Sequence, residues 1–171
     1  MTDESLMLSV KNDDLDKAAI LYERYKKKLY SFFLYKNYND QERSEDSVQQ
    51  VFYRMIKYRK SYKEDSNFKT WLYSIANNVH YQEFKQQVQL EDIRASYPIN
   101  ETHTDTNDDH QALHQALNLL AEPHREVLLM SKFWGLKYEE IAEINNCTVG
   151  VIKTRVFRAL KDLREAYFKI I

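Results

Sequence analysis

Leu136-Lys-Tyr-Glu-Glu-Ile-Ala-Glu-Ile-Asn-Asn-Cys-Thr-Val-Gly-Val-Ile-Lys-Thr-Arg-Val-Phe-Arg-Ala-Leu160 reads as a helix, a tight turn and a second helix. Tyr138, Ile141 and Ala142 fall on one face of the first helix, and the small Ala142 lets another helix approach closely. Asn145-Asn146 suits the turn, because Asn tolerates the left-handed conformation that ends a helix. Thr148 is placed to cap the second helix. Val149, Ile152, Val156, Ala159, Leu160 and Leu163 then recur at steps of three and four and predict a buried stripe. Lys153, Thr154, Arg155, Arg158 and Lys161 take the other side. An apolar back and a basic front, held by a short turn, is the geometry that enters a DNA major groove. A plain helical hairpin with a solvated charged face has the same periodicity. The small residue, turn and cap occurring together favour the DNA-entering form.

Outward from that stretch, the chain has 171 residues, room for one medium domain or two small ones. Two Gly and two Pro argue against a turn-rich β protein and for long helices. One cysteine, Cys147, excludes an internal disulfide and fits a reducing compartment. No apolar run reaches the roughly 20 residues of a membrane span, and no signal-peptide pattern opens the chain. The expectation is a cytoplasmic protein.

The net charge of −1 hides a strong polarity. Residues 15–87 hold 14 basic and 9 acidic side chains, and residues 123–171 hold 9 and 6. Between them, residues 88–122 hold one Arg against seven acids. Two positive blocks flanking an acidic bridge are the footprint of a phosphate-backbone binder.

Helical periodicity predicts a short helix near 4–11 and a longer one from a cap at Asp13 or Asp14 to about Tyr35. Leu15, Ala18, Leu21, Tyr22, Tyr25, Leu29 and Phe32 are its apolar face. Ser44 with Glu45 and Asp46 predicts a third start, running to about Arg59 with Val48, Val51, Phe52 and Met55 inward. Residues 67–87 repeat the pattern with Phe68, Trp71, Leu72, Ile75 and Val79. The polar, acidic, aperiodic stretch 88–109 reads as a flexible linker. Helices follow near 110–120, 123–133, 137–145 and 148–169. The fold class is therefore all-α: two small helical domains, 1–87 and 110–171, joined by an acidic linker, the second with a helix-turn-helix.

Three further stretches now join the first. Asp46-Ser-Val-Gln-Gln-Val-Phe52 and Phe68-Lys-Thr-Trp-Leu-Tyr-Ser-Ile-Ala-Asn-Asn78 resemble the second conserved region of an extracytoplasmic-function (ECF) sigma factor of the sigma-70 family. Leu120-Ala-Glu-Pro-His-Arg-Glu-Val-Leu128, Tyr138-Glu-Glu-Ile-Ala-Glu143 and Cys147-Thr-Val-Gly-Val-Ile-Lys-Thr-Arg155 resemble its fourth. The resemblance covers about residues 15–87 and 110–166.

It implies a dissociable subunit that binds bacterial core RNA polymerase, on the clamp and flap of its two largest subunits, and directs promoter recognition, DNA opening and initiation. Core binding would fall to Asp46, Gln49, Gln50 and Phe52, with Gln50 replacing the family's usual glutamate. The downstream (−10) element would meet Tyr62, Lys63, Asn67, Lys69, Asn77, Asn78, Tyr81 and Lys85, while Phe68 and Trp71 would be mostly core. Relatives often carry Arg near Asn77, Asp at Gln82 and more Arg near Lys85, so this set is thin in cations and its promoter reading is expected to be weak or unusual. The upstream (−35) element would meet Thr148, Val151, Lys153, Thr154, Arg155 and Arg158. An anti-sigma protein or a DNA-bound recruiter is an implied partner.

Two other readings remain open from sequence: a stand-alone helix-turn-helix regulator, and a sigma-like adaptor needing a DNA-bound recruiter. Catalysis and cofactors are not expected, because no Gly-rich phosphate loop, nucleophile elbow or carboxylate constellation is present. No metal is expected either. Asp105-Thr-Asn-Asp-Asp109 starts like a calcium loop but has His110 where Gly is needed and Ala116 where Glu is needed. His110 and His114 have ligand spacing without a companion ligand set, and Cys147 is expected to be a small packing residue.

Overall fold

The structure is a computed structural model that describes residues 1–93 and 108–171. The described residues form eight α-helices and no strand, in two compact units. The first unit holds α1 (Asp3–Lys11), α2 (Asp16–Lys36), α3 (Gln41–Lys57) and α4 (Phe68–Ile93), with a 3-10 turn at Arg59–Ser61. The second holds α5 (Asp108–Asn118), α6 (Glu122–Leu128), α7 (Tyr138–Ile144) and α8 (Val149–Ile170). After α6 the chain winds on through a wider π turn, Leu129–Phe133.

In the first unit, Leu6, Met7, Leu21, Leu29, Phe32, Phe33, Met55, Phe68 and Leu72 are wholly buried. Each contributes about 1.5–3 kcal/mol through burial. Edge-on aromatic contacts order this core, with Phe32 5.3 Å from Phe33 and Tyr25 5.3 Å from Phe68.

The short α1 is tied to the far side of the unit by polar contacts. The Glu4 carboxylate accepts from the backbone N–H of Phe68 at 3.1 Å, placing negative charge at the positive end of α4. Lys11 Nζ donates to the Tyr62 carbonyl at 2.6 Å, and Lys60 Nζ donates to the Lys11 carbonyl at 2.6 Å. Tyr25 Oη donates to Asp3, which also pairs with Arg24 at 2.7 Å.

Several sequence expectations shift here. Asp13 does not cap α2: it adopts a left-handed φ of 75° and its carboxylate takes Arg59 and Lys60, both at 2.9 Å. These cations hold its carboxyl below the usual carboxylate range. Leu15, expected on the buried face, is exposed at the helix start. The third helix begins at Gln41, three residues before Ser44, because Asp40 accepts from the Arg43 N–H at 3.0 Å. Ser44 lies buried within α3 and donates to the Asp40 carbonyl at 2.6 Å. Helix α4 continues through Ile93, so residues 88–93 of the expected linker are helical. Residues 94–107 of that linker lie outside the described residues, and Asp108 and Asp109 already belong to α5.

The second unit packs Ala116, Val127, Trp134, Ile141, Ile152 and Ala159 at its centre. The turn between α7 and α8 follows the local chemistry. Asn146 takes φ 52°, and Thr148 Oγ1 accepts from the Val151 N–H at 3.3 Å. Leu160, expected in the buried stripe, is 40% exposed. At about 100° per residue, centring the stripe on Ala159 turns Leu160 onto the flank.

Candidate nucleic-acid and polymerase interfaces

Helix α3 is two-faced. Ser47, Val48, Val51 and Met55 point inward, while Asp46 and Gln49 are exposed and Gln50 is half-buried. Phe52 is buried, as its inward periodicity predicts, so it does not itself present to the docking surface; its ring lies 4.8 Å from that of Tyr22. The aromatic that shares the outward face is Tyr53, seven residues on from Asp46 and 59% exposed. Lys57 follows one turn later, 5.9 Å from the Tyr53 ring and 5.4 Å from that of Tyr58. Sequence reasoning passed over both, although the spacing of Asp46, Gln49, Gln50, Tyr53 and Lys57 traces one helical face.

The junction between α3 and α4 is built on Tyr62. Expected among the DNA-facing residues, Tyr62 is instead wholly buried, 5.1 Å from Trp71 and 6.4 Å from Phe68. Its hydroxyl donates to the Ser66 carbonyl at 2.7 Å, which fixes the span of the intervening loop. Burial pushes this phenol up to about 12. Lys63 and Asn67 are exposed on the loop, and Lys69 is half-buried at the start of α4. Asn67 caps that helix, its Oδ1 accepting from the Thr70 N–H at 3.0 Å. Phe68 is core as expected, and Trp71 is half-buried.

Farther along α4, Asn78, Tyr81 and Lys85 are exposed and Asn77 is half-buried. Phe84, 53% exposed, extends this surface and was not singled out from sequence. Across the seam with α3, Arg54 donates to Gln82 at 2.5 Å and Arg43 donates to Gln87. Both hydrogen-bond partners are neutral amides, and the nearby Glu83 carboxylate is the acidic group that feels both guanidiniums. Glu83 lies in the same seam, accepting from Ser47 Oγ at 2.7 Å. Burial raises the Glu83 carboxyl above its ordinary range, against the lowering effects of Ser47, Arg43 and Arg54.

On α8, Thr148, Gly150, Val151, Thr154, Arg155 and Arg158 line one concave surface, joined by His124 from α6. Lys153 is exposed but does not line it. His124 was invisible in sequence, because its partner Asp162, at 2.8 Å, is 38 residues away. Cys147 is half-exposed in the turn, its N–H donating to the Ala142 carbonyl at 3.0 Å.

Residues 21–89 match the model of Sigma-70 region 2, and residues 110–163 match Sigma-70, region 4. The ECF RNA polymerase sigma-E factor of Haemophilus influenzae is 30% identical over 176 residues, covering 93% of this chain and 92% of that protein. The chain is an ECF sigma factor of the sigma-70 family.

A second relative of this sigma factor, RNA polymerase sigma factor YlaC of Bacillus subtilis, is 26% identical, covering 88% of this chain and 91% of its own. Among solved structures, the sigma factor RpoE of Bartonella quintana, in complex with the anti-sigma factor NepR, superposes with a TM-score of 0.72 at 25% identity, covering 85% of this chain and 95% of that one. The ECF sigma factor is thus an RNA polymerase sigma factor, which belongs to a class of non-catalytic initiation subunits. That membership sets aside the stand-alone regulator. Among the described residues, no helix is long and apolar enough to cross a membrane, and no group of three or more His, Cys, Asp or Glu is placed to hold a metal. The calcium-like run at 105–109 and His110 fall outside the residues whose side chains are described.

Proposed function

We propose a division of labour among these surfaces. The outward face of α3, with Asp46, Gln49, Gln50 and Tyr53, docks the polymerase core, and buried Phe52 supports it from behind. The loop after Tyr62 offers Lys63, Asn67 and Lys69 to the opened downstream strand, and Asn77, Asn78, Tyr81 and Lys85 continue that surface along α4. Exposed amide, cationic and aromatic groups are the chemistry that holds unstacked bases and their phosphates. Helix α8 enters the major groove of the upstream element.

The observation that carries this reading is the shared concave surface of Thr148, Val151, Thr154, Arg155 and Arg158. A capped helix start, hydroxyls and two guanidiniums converge there, which is what base edges and phosphates require. Lys153, lying off this surface, serves a flanking phosphate. The expected domains, 1–87 and 110–171, extend to the ends of their helices, the first through Ile93 and the second from Asp108. The protein works in the cytoplasm, and an anti-sigma protein restrains it, as the bound NepR of the Bartonella quintana relative suggests.

Run-off transcription with bacterial core polymerase, on DNA from upstream of the protein's own gene, tests the reading. Transcripts that require the chain support it and map the promoter. Core binding without transcripts points to a DNA-bound recruiter. Absence of core binding overturns the assignment of α3.

A further inference from the structure

We propose that His124 and Asp162 form a phosphate grip at the edge of the α8 groove, holding a backbone phosphate of the upstream DNA. The inference rests on the reading of α8 as the DNA-entering helix. Among the described residues, His124 is the one lining the groove that does not come from α8 or its cap. Its Nδ1 lies 2.8 Å from Asp162 Oδ2. An ionised carboxylate only accepts, so Nδ1 carries a hydrogen and Nε2 is left as the nitrogen available to a ligand. The His124 side chain is 23% exposed: held by packing, yet open to the groove it lines.

The pairing also answers an electrostatic difficulty. Asp162 is 45% exposed and follows Arg158 by one helical turn, where a bare carboxylate would oppose an incoming phosphate. The imidazole occupies that carboxylate. In its protonated form the ring donates from both nitrogens, Nδ1 to Asp162 and Nε2 to a phosphate oxygen. Other charged groups on these two helices are Arg155 and Arg158 in the groove, Lys161 and Glu165 beside Asp162 on α8, and Glu126 and the Glu122–Arg125 pair on α6. Phosphate contacts of this kind set register and carry no sequence information.

The test uses the full chain assembled with core polymerase, bound to a duplex carrying the upstream element mapped by run-off. Affinity is measured against potassium chloride concentration for the unaltered protein and for H124Q, H124R and R158A. H124Q should weaken binding about tenfold, equally on the mapped element and on base-substituted versions. Its salt dependence should become shallower by about 0.9 in log–log slope, the share of one phosphate. H124R, which restores a cationic donor, should recover both. Wild-type affinity and slope in H124Q, with R158A weakened, overturn the grip alone. Weakened binding that H124R fails to recover, with a lowered melting temperature in both variants, makes the pair a structural staple and also overturns it. Unchanged binding in R158A as well removes α8 from the DNA and the grip with it.

Discussion

Replacing Tyr62 separates a DNA-contacting ring from a structural one. The ring is wholly buried against Phe68 and Trp71, and its hydroxyl donates to the Ser66 carbonyl at 2.7 Å. Tyr62→Phe keeps the ring and deletes only that hydrogen bond. Ser66 is half-buried, so its carbonyl regains water in part, and the expected cost is about 1 kcal/mol. Tyr62→Ala empties the cluster, at about 3–5 kcal/mol by comparison with other large aromatic truncations. That is a large fraction of the roughly 5–15 kcal/mol available to a domain. Hydrogen exchange of peptides from α1–α4 under increasing urea reads this loss in the first unit, with peptides of α5–α8 as an internal reference. Promoter opening at saturating protein, followed by permanganate footprinting, reads the DNA side. The expected result is graded destabilisation of the first unit, with opening by the Phe variant close to wild type. Unaltered exchange in Tyr62→Ala, together with lost opening, would refute the buried assignment and return Tyr62 to the DNA.

Further predictions test the other surfaces. Asp40→Ala should destabilise the first unit by about 0.5–2 kcal/mol through the lost cap of α3, measured by the same exchange experiment. Arg155→Ala should cost about 1–3 kcal/mol on the mapped upstream element and relax preference at one base pair. A uniform loss over all sequences would demote it to a phosphate contact. Asp46→Ala combined with Gln49→Ala should weaken core-polymerase binding in a pull-down titration while leaving the circular dichroism melt unchanged. Glu83 has a raised carboxyl in the folded state. Above the ordinary Glu range the unfolded chain has lost this proton while the folded one still holds it, so stability from this group declines as pH rises through that window. Glu83→Gln should remove that slope from pH-dependent urea unfolding and keep an acceptor for Ser47.

What sequence could and could not show follows from the range of the interactions. The α7–α8 turn was legible because Asn146, Thr148 and the Ile152–Val156–Ala159 stripe act within a turn or two of themselves. The start of α2 was misplaced because Asp13, a good local cap, is taken by Arg59 and Lys60 from across the unit. Tyr62 was misassigned for a related reason: an aromatic in a polar stretch looks the same whether it faces solvent or a core built from distant helices. Tyr53 was recoverable, since it completes the face begun by Asp46. His124 was not, because nothing in its own neighbourhood marks a partner on α8.

The ties between α1 and the α3–α4 junction bear on how such proteins are rebuilt. Glu4 seats the first amide of α4, Lys11 holds the Tyr62 carbonyl, and Lys60 reaches back to Lys11. The segment proposed to handle opened DNA is therefore shaped by residues some fifty to sixty positions away. A chimaera that grafts only residues 58–70 from a relative would import a loop without its mould. Promoter preference should move between such proteins as a two-piece cassette, the first eleven residues travelling with the junction they brace.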